Sequence, residues 1–443
     1  MRVKMTFAVL ALAALALSVP ASSAATVVRV DPGESIQAAI DKAKPGTTIK
    51  LGEGTYKDSV NISKSDIEIV GEGRSKTKIE VPAAGDLPAG KGCVDDSGPQ
   101  PVVSGFCISP DQPSDPKARC ENSPSSGPGE TIVKAVDDVE ISRLAVTGFT
   151  GIGIIYFCAD DPEVTRVYAK GAEHSEYGIA AFASEDVRFA RNLTVNSGEA
   201  GIYIGDSPHA DATVWKNVSW NNGFGLFLRD SAHGKVLENK TFGNCLGILV
   251  LNTDESQAPP EFRGPSIDAR DWLVQDNDAT ANNRACPGGE EGGPISGIGI
   301  AVSSSIDIRV IGNDVFGNDS TAASDGHAGI VVLGEGGLTS RDVKVAFNTA
   351  FGNTTDIVWD GQGTGNRFIE NDCLTSQPDG LCEDPDGNGN HADDNGHGDD
   401  HPKGDGRDDG DDHHKGDGNH KKHKKHKHHK KHKQSKKHDR HDD

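Results

Sequence analysis

The sequence is poor in aromatic residues, in methionine and in positive charge. Phe, Trp and Tyr together make up 5% of its 443 residues, and there are two Met. Lys and Arg number 45 against 67 Asp and Glu, so the formal net charge is −22. A shortage of bulky apolar side chains argues against a helical bundle or a coiled coil. The acidic balance argues against a nucleic-acid-binding protein, which needs clustered Lys and Arg to meet phosphates.

Long apolar runs are missing except at the start of the chain. Arg2 and Lys4 precede an apolar run at 7–19, and small residues fill 21–25. These three features are typical of a secretory signal peptide, and the run is shorter than the roughly 20 residues that span a bilayer. We therefore expect residues 1–25 to be cleaved. The mature chain should be secreted, extracellular or cell-wall associated, without a membrane span.

The eight cysteines include no C-x-x-C pair, which argues against a zinc ribbon or a redox motif. Export favours disulfides, although the sequence leaves the pairing open. Nearness favours Cys373–Cys382, and Cys245–Cys286 would tie one repeat to a later loop. The other four cysteines are expected to staple an insertion at 84–130.

Glycine, by contrast, is abundant, with 54 residues, and it recurs in a motif. The motif is a glycine, an aliphatic residue and then alternating small and apolar residues. It begins at Gly151, Gly178, Gly201, Gly225, Gly247, Gly297 and Gly329. The first four intervals are 27, 23, 24 and 22 residues, and the later ones of 50 and 32 leave room for inserted loops. A period of this length predicts a solenoid.

Each repeat has a second strand-like half that ends in asparagine. These residues are Asn192, Asn217, Asn239, Asn277, Asn313, Asn348 and Asn371. A second polar series follows five residues later, at Ser197, Asn222, Asn244, Asn282, Asn318 and Asn353. Equivalent Asn side chains on successive coils hydrogen-bond along the axis, and Asn accepts the left-handed conformation of tight corners. Several begin Asn-x-Ser/Thr, but their periodicity favours ladder positions over glycan attachment.

These patterns predict an all-β fold, a right-handed parallel β-helix over residues 26–383 whose coils stack about 4.8 Å apart. The repeats lack the dense Leu spacing of a leucine-rich repeat. Residues 35–43 place apolar side chains on one helical face and are followed by Pro45-Gly46, which predicts a short helix capping the solenoid. Strands are predicted next at 48–51, 60–62, 67–70 and 78–81.

A family resemblance rests on three segments near the start. They are DPGESIQAAI at 31–40, PGTTI at 45–49 and GTY at 54–56, which resemble the opening of pectate-lyase-like β-helix proteins. That superfamily includes pectate lyases, pectinesterases, polygalacturonases and alginate epimerases, and this chain resembles its uncharacterised secreted members. The resemblance covers roughly residues 27–383. It implies the fold and, as an expectation, a polysaccharide ligand, but no particular activity, because the opening is architectural.

Two neighbouring repeats share a polar pattern. The tetrapeptides DSPH and DSAH begin at Asp206 and Asp230, each five residues after a repeat glycine. If the register holds, Asp206 stacks near Asp230 and His209 near His233. Such a cluster would bind a cation or supply catalytic acid/base groups to a sugar. The alternative is that Asp-Ser makes corner turns in sister repeats.

Three residues on the same strands are candidates for substrate binding. Arg229 is expected to neutralise a substrate carboxylate. Tyr203 and Phe227 occupy outward positions and would form an exposed aromatic strip on which a sugar stacks. The alternative is that the insertion at 253–271 covers this strip.

The end of the chain has a different composition. Residues 384–418 carry 3 basic and 12 acidic residues, net −9, and residues 419–443 carry 11 basic and 3 acidic, net +8. Almost no aliphatic residues occur there, so we expect 384–443 to be a disordered tail. Neutral imidazole is a good ligand for Zn²⁺, Ni²⁺ and Cu²⁺. The candidate ligands are His413, His414, His420, His423, His426, His428, His429 and His432.

Calcium is an alternative ion, on the tail or on the core. Asp384, Asp386, Asn388 and Gly389 resemble the first half of a calcium loop, but Asn395 stands where the closing Glu belongs. No other cofactor is indicated.

Two functions stay open. The first is a polysaccharide lyase, glycoside hydrolase or epimerase, and the second is a non-catalytic surface or adhesion module with a metal- or wall-binding tail. Asn252-Thr253-Asp254 resembles the Asn-Thr-Asp of polygalacturonases, but their later catalytic motifs are not matched in order, and the Asp-Pro-His-Glu signature of alginate epimerases is absent. We expect a monomer that associates with an extracellular or cell-wall polysaccharide.

Overall fold

Each repeat forms one coil of three short parallel strands. The structure is a computed structural model that describes residues 26–382 except 88–90, 112–117, 126–127, 173–174, 254–266, 289–292 and 325. From Thr47 onward every coil contributes a strand to face one, then to face two, then to face three, and the next coil repeats this order. The described chain is therefore a parallel β-helix, as the repeat period predicts.

Face one runs the whole length of the solenoid, from the first described strand to the last coil. Its strands are Thr26–Val30, Thr47–Leu51, Ile67–Val70, Val139–Ser142, Glu163–Thr165, Arg188–Ala190, Ala212–Trp215, the second half of Phe224–Leu237, Arg270–Gln275, Arg309–Ile311, Lys344–Ala346 and Arg367–Ile369. Phe224–Leu237 is a single strand that bends from face three into face one.

Faces two and three complete the coils. The strands of face two are Gly54–Tyr56, Thr77–Glu80, Ala145–Thr147, Tyr168–Lys170, Leu193–Val195, Val218–Trp220, Lys240–Phe242, Asp278–Thr280, Asp314–Phe316, Thr349–Phe351 and Asp372–Cys373. Those of face three are Val60–Ile62, Phe106–Ile108, Ile154–Phe157, Ile179–Phe182, Ala200–Ser207, the first half of Phe224–Leu237, Leu246–Leu251, Ile298–Ser303, Ala328–Leu333, Ile357–Trp359 and Ser376–Gln377.

The repeat motif fills the interior. Ile202, Leu226 and Ile248 occupy the same position on consecutive coils, and none has measurable exposure. Because parallel strands stack in register, inward aliphatic side chains pile into one continuous core along the axis. The glycine that opens the motif lies against a neighbouring backbone: a Cβ at Gly225 would lie 2.4 Å from the carbonyl oxygen of Gly247.

The predicted cap is a helix at Ile36–Lys42. The Ser35 hydroxyl accepts a hydrogen bond from the amide of Ala38, which is an N-cap, and the buried Ile36 and Ile40 face the core. The helix packs on the strands Thr26–Val30 and Val60–Ile62 and so covers the first coil. The strands predicted after the helix are present. The structure adds one that the sequence did not predict, Gly54–Tyr56. A 3₁₀ turn at Ala84–Asp86 follows.

Asparagine ladders run through two corners of the solenoid. In the first, Nδ2 of Asn239 donates to Oδ1 of Asn277 at 2.9 Å and to the carbonyl of Val214, while its Oδ1 accepts from the amide of Asn217. The second ladder repeats this with Asn222, Asn244 and Asn282. The ladder reading of these residues is confirmed, because their side chains satisfy buried backbone groups.

Four disulfides join the cysteines. Cys373–Cys382 and Cys245–Cys286 pair as sequence spacing favoured. The other two are Cys93–Cys107 and Cys120–Cys158. Small strand pairs accompany the insertion: Cys93–Asp95 with Val102–Ser104, Ala118–Cys120 with Thr131–Val133, and Val136–Asp137 with Ala159–Asp160. No described helix is long and apolar enough to cross a membrane.

Candidate functional site

The predicted polar cluster lies on the connection from face three to face one. Gly205 pairs with Arg229 and Ser207 with Ser231, so Asp206 and Asp230 occupy the same position on adjacent coils. Both have a left-handed backbone, with φ of 53° and 46°. Asp and Asn enter this conformation more readily than most residues, so turn formation alone accounts for aspartate here.

Asp230 is the buried member of the cluster, with 2% of its surface exposed. Its carboxylate accepts hydrogen bonds from the Thr253 amide at 2.7 Å and the Thr253 hydroxyl at 2.5 Å. Burial raises the pKa of Asp230 to about 6; the bonds from Thr253 and the charge of Arg229 oppose this shift, and the charge of Asp206 adds to it. A carboxyl of this kind exchanges its proton near neutral pH.

Arg229 is paired within the protein. Its Nε donates to Oδ2 of Asp230 at 3.2 Å, and its side chain is 27% exposed. The guanidinium predicted to meet a substrate carboxylate therefore already neutralises a protein carboxylate.

The two histidines lie side by side. The rings of His209 and His233 are parallel to within 1°, with centroids 6.2 Å apart. Nδ1 of His233 lies 3.1 Å from Oδ2 of Asp271 on the following coil. His209 is exposed, and its charge opposes the rise that burial gives the pKa of Glu185. The predicted proximity of His209 and His233 is present in the structure.

Tyr203 and Phe227 do not form an exposed strip. They are 2% and 1% exposed, and their rings pack edge to face with centroids 5.3 Å apart. Tyr203 also contacts Tyr177 and Phe182, at 4.5 and 4.8 Å between centroids. These side chains belong to an apolar cluster on the outward side of face three. The expectation of an exposed stacking surface there is wrong, because burial leaves no ring face open to a sugar.

The sequence left the roles of Thr253 and Asp271 unassigned. Asn252, which occupies the Asp230 position one coil later, accepts a hydrogen bond from the amide of Ala269. Thr253 then reaches back to Asp230. The sequence signal for these contacts was the pair Asn252-Thr253, which resembles part of an enzyme motif. In the structure the two side chains instead hydrogen-bond to neighbouring segments of the same corner.

Metal binding finds no support in the core. Over the described part of the chain, no three His, Cys, Asp or Glu side chains come together in a group that could hold a metal ion. The tail histidines, from His413 to His432, and the calcium-like segment lie outside the described residues.

A family model for the right-handed β-helix region matches residues 131–259. The protein is a right-handed parallel β-helix. Residues 131–259 include the whole Asp206–His233 cluster, so the cluster lies on regular coils of the helix. Comparison with curated proteins gives no match.

Solved structures with a similar fold come from several sources. The A-module of a mannuronan C-5 epimerase from Azotobacter vinelandii is 16% identical, with 77% of this chain and 89% of that one covered and a TM-score of 0.46. DFA-IIIase from Arthrobacter chlorophenolicus is 15% identical, with coverages of 74% and 84% and a TM-score of 0.45. The Dettilon tailspike protein is 16% identical, with coverages of 78% and 68% and a TM-score of 0.46.

Proposed function

We propose that this protein binds a polysaccharide along the connection from face three to face one. The observation that carries the proposal is the parallel pair of imidazoles, His209 and His233, on adjacent coils beside Asp206. Imidazole both donates and accepts hydrogen bonds, which suits sugar hydroxyls. Groups repeated at the coil interval of about 4.8 Å suit a linear polymer lying along the axis better than a single small molecule.

Proton transfer is the chemistry that this cluster would supply in turnover. Asp230, with a pKa near 6, would exchange a proton between about pH 5 and 7, the range in which general acid/base groups work best, and His233 belongs to the same cluster. Asp206 and His209 complete the candidate catalytic set. Lyases, hydrolases and epimerases of polysaccharides all need such a group, so the cluster does not select among them.

A non-catalytic binding module is the second candidate. The observation that favours it is that Asp230 is 2% exposed and already binds Thr253 and Arg229. In this reading Asp230 fixes the corner, and the exposed His209 and partly exposed His233 make the contacts.

The proposal is tested with the double variant His209→Gln/His233→Gln on the full protein. The control is Asp307→Asn/Asp342→Asn, which changes two exposed residues at the position equivalent to His233 on later coils. Each protein is incubated with a panel of plant, algal and bacterial glycans, and bound polymer, unsaturated products and reducing ends are measured. We expect the histidine variant to lose binding and the control to keep it. Equal binding by both variants would contradict the proposal.

A further inference from the structure

The corner between faces one and two carries a row of cations. Thr165, Ala190 and Trp215 pair across successive coils, so the residues that follow them fall in line. We name this row the basic corner. From one coil to the next its members are Arg143, Arg166, Arg191 and Lys216, and all four are exposed. They span about 14 Å in three steps of roughly 4.8 Å.

Backbone conformation does not account for these residues. Their φ angles are 58°, 53°, 59° and 54° along the row. Left-handed positions favour Gly, Asn and Asp, and long side chains are uncommon there. The equivalent row where face one begins follows that preference except at His233, with aspartate at Asp66, Asp138, Asp161, Asp186, Asp211, Asp271, Asp307 and Asp342. The same conformation is thus filled mainly by aspartate at one corner, whereas the other corner has four consecutive cations before Glu238 and Asp276 continue its row.

The positive charge is largely uncompensated. Within the part of the chain that the structure describes, Arg143 and Arg166 have no ion pair and no side-chain hydrogen bond. Arg74 lies near the row: burial lowers its pKa, and the charge of Arg166 lowers it further. Lys216, at the end of the row, pairs with Glu238 at 3.2 Å. In a chain of net charge −22, guanidinium groups gathered without carboxylates indicate a surface for an external anion.

Aromatic rings flank the row. Arg191 and Lys216 lie 4.8 and 4.5 Å from the centre of the Trp215 ring. On the other side Tyr168 stacks on Trp220, with centroids 6.4 Å apart. Trp215, Tyr168 and Trp220 are all partly exposed. Aromatic rings beside cations suit a sugar that carries an acidic group, since the ring packs on the sugar while the cation meets the acid.

We propose that the basic corner binds a linear polysaccharide bearing carboxylate groups. One cation per coil matches a polymer with regularly spaced single charges. A nucleic acid is less suited, because its dense phosphates need a broad cationic surface and the net charge of this protein would repel them. The inference shares with the proposed function only the ligand class, and it places the contact at a different corner.

The test compares two triple variants of the full protein. Arg143→Gln/Arg166→Gln/Arg191→Gln removes three charges from the basic corner. Arg309→Gln/Lys344→Gln/Arg367→Gln, the control, removes three from consecutive coils of face one. Binding of polygalacturonate, a neutral β-glucan and single-stranded DNA is measured at low and moderate salt, with circular dichroism to verify folding. We expect the first variant alone to bind polygalacturonate about tenfold more weakly, since three exposed ion pairs of modest strength are lost.

A local readout separates the corner from the basic segment at 419–443. Polygalacturonate should change the tryptophan emission of the wild type, and Trp215→Phe should remove most of that change. Equal weakening in both triple variants, no emission change at Trp215, or DNA binding as tight as polygalacturonate would each overturn the inference. If the basic-corner variant loses binding while His209→Gln/His233→Gln keeps it, the inference stands and the proposed function fails. If the histidine variant loses binding while the basic-corner variant keeps it, the proposed function stands and this inference fails.

Discussion

At the residue scale, Asp230 combines burial with an ionisable group. Its carboxylate is held by Thr253 and Arg229, yet burial still raises its pKa from 3.8 to about 6. The unfolded chain ionises this carboxyl near pH 4, whereas the folded chain ionises it near pH 6. Between these values the folded state binds more protons, so the contribution of Asp230 to stability falls as the pH rises.

Asp230→Asn should remove this pH dependence. We expect the stability of the wild type relative to the variant to fall by up to about 3 kcal/mol between pH 4 and pH 7, and to stay level above pH 7. Chemical denaturation of both proteins across this range measures the difference. Asp342→Asn, an exposed corner substitution, is the control. A difference that stays flat or rises with pH would show that Arg229 and Thr253 stabilise the ionised form at least as much as burial opposes it.

At the element scale, the asparagine ladders bind neighbouring coils together. Each buried Asn side chain satisfies backbone groups of the coils on either side, as Asn239 does for Asn217 and Val214. A strand of three residues makes few backbone hydrogen bonds. The asparagine side chains therefore supply a large share of the hydrogen bonds that join adjacent coils at each corner. An unsatisfied buried group costs about 1–3 kcal/mol.

Asn239→Ala should therefore destabilise the protein by about 2–4 kcal/mol, because it leaves the Asn217 amide and the Val214 carbonyl without partners. Asn221→Ala is the matched control. Asn221 is exposed and left-handed, with φ of 55°, and its side-chain amide donates to Oδ1 of Asn196, so loss of this side chain should cost about 1 kcal/mol. Thermal and denaturant unfolding of both variants measure the difference. Similar losses at the two positions would mean that the ladder adds little beyond its backbone conformation.

At the scale of the whole molecule, the solenoid and the tail are expected to act independently. The tail prediction concerns residues outside the described chain and rests on composition: thirteen of the 17 histidines occur from His391 onward. We expect the full protein to bind Zn²⁺ through them and a chain ending at Glu383 not to bind it. Affinity should fall from pH 7.5 toward 5.5, because coordination needs neutral imidazole, whose ordinary pKa is about 6.5. Titration calorimetry with Zn²⁺ on both chains measures this difference. Equal binding by both would show that the metal binds outside the tail.

The candidate site was only partly predictable. Repeat spacing aligned Asp206 with Asp230 and brought His209 near His233, because equal intervals place equivalent residues on adjacent coils. It did not reveal that Arg229 binds Asp230, or that Tyr203 is buried. Period-two alternation says which side of a strand a residue faces, but not whether another part of the molecule packs there.

The sequence by itself determined the coil period, the two asparagine ladders and the capping helix, since each depends on spacing along the chain. Tertiary structure alone decided the environment of the corners. Arg143 and Arg166 precede Leu144 and Val167 rather than a ladder asparagine, so no local motif links them to Arg191. They form one row because parallel register places every corner directly above the last. Charge that is scattered along the sequence thus becomes continuous only when the coils stack.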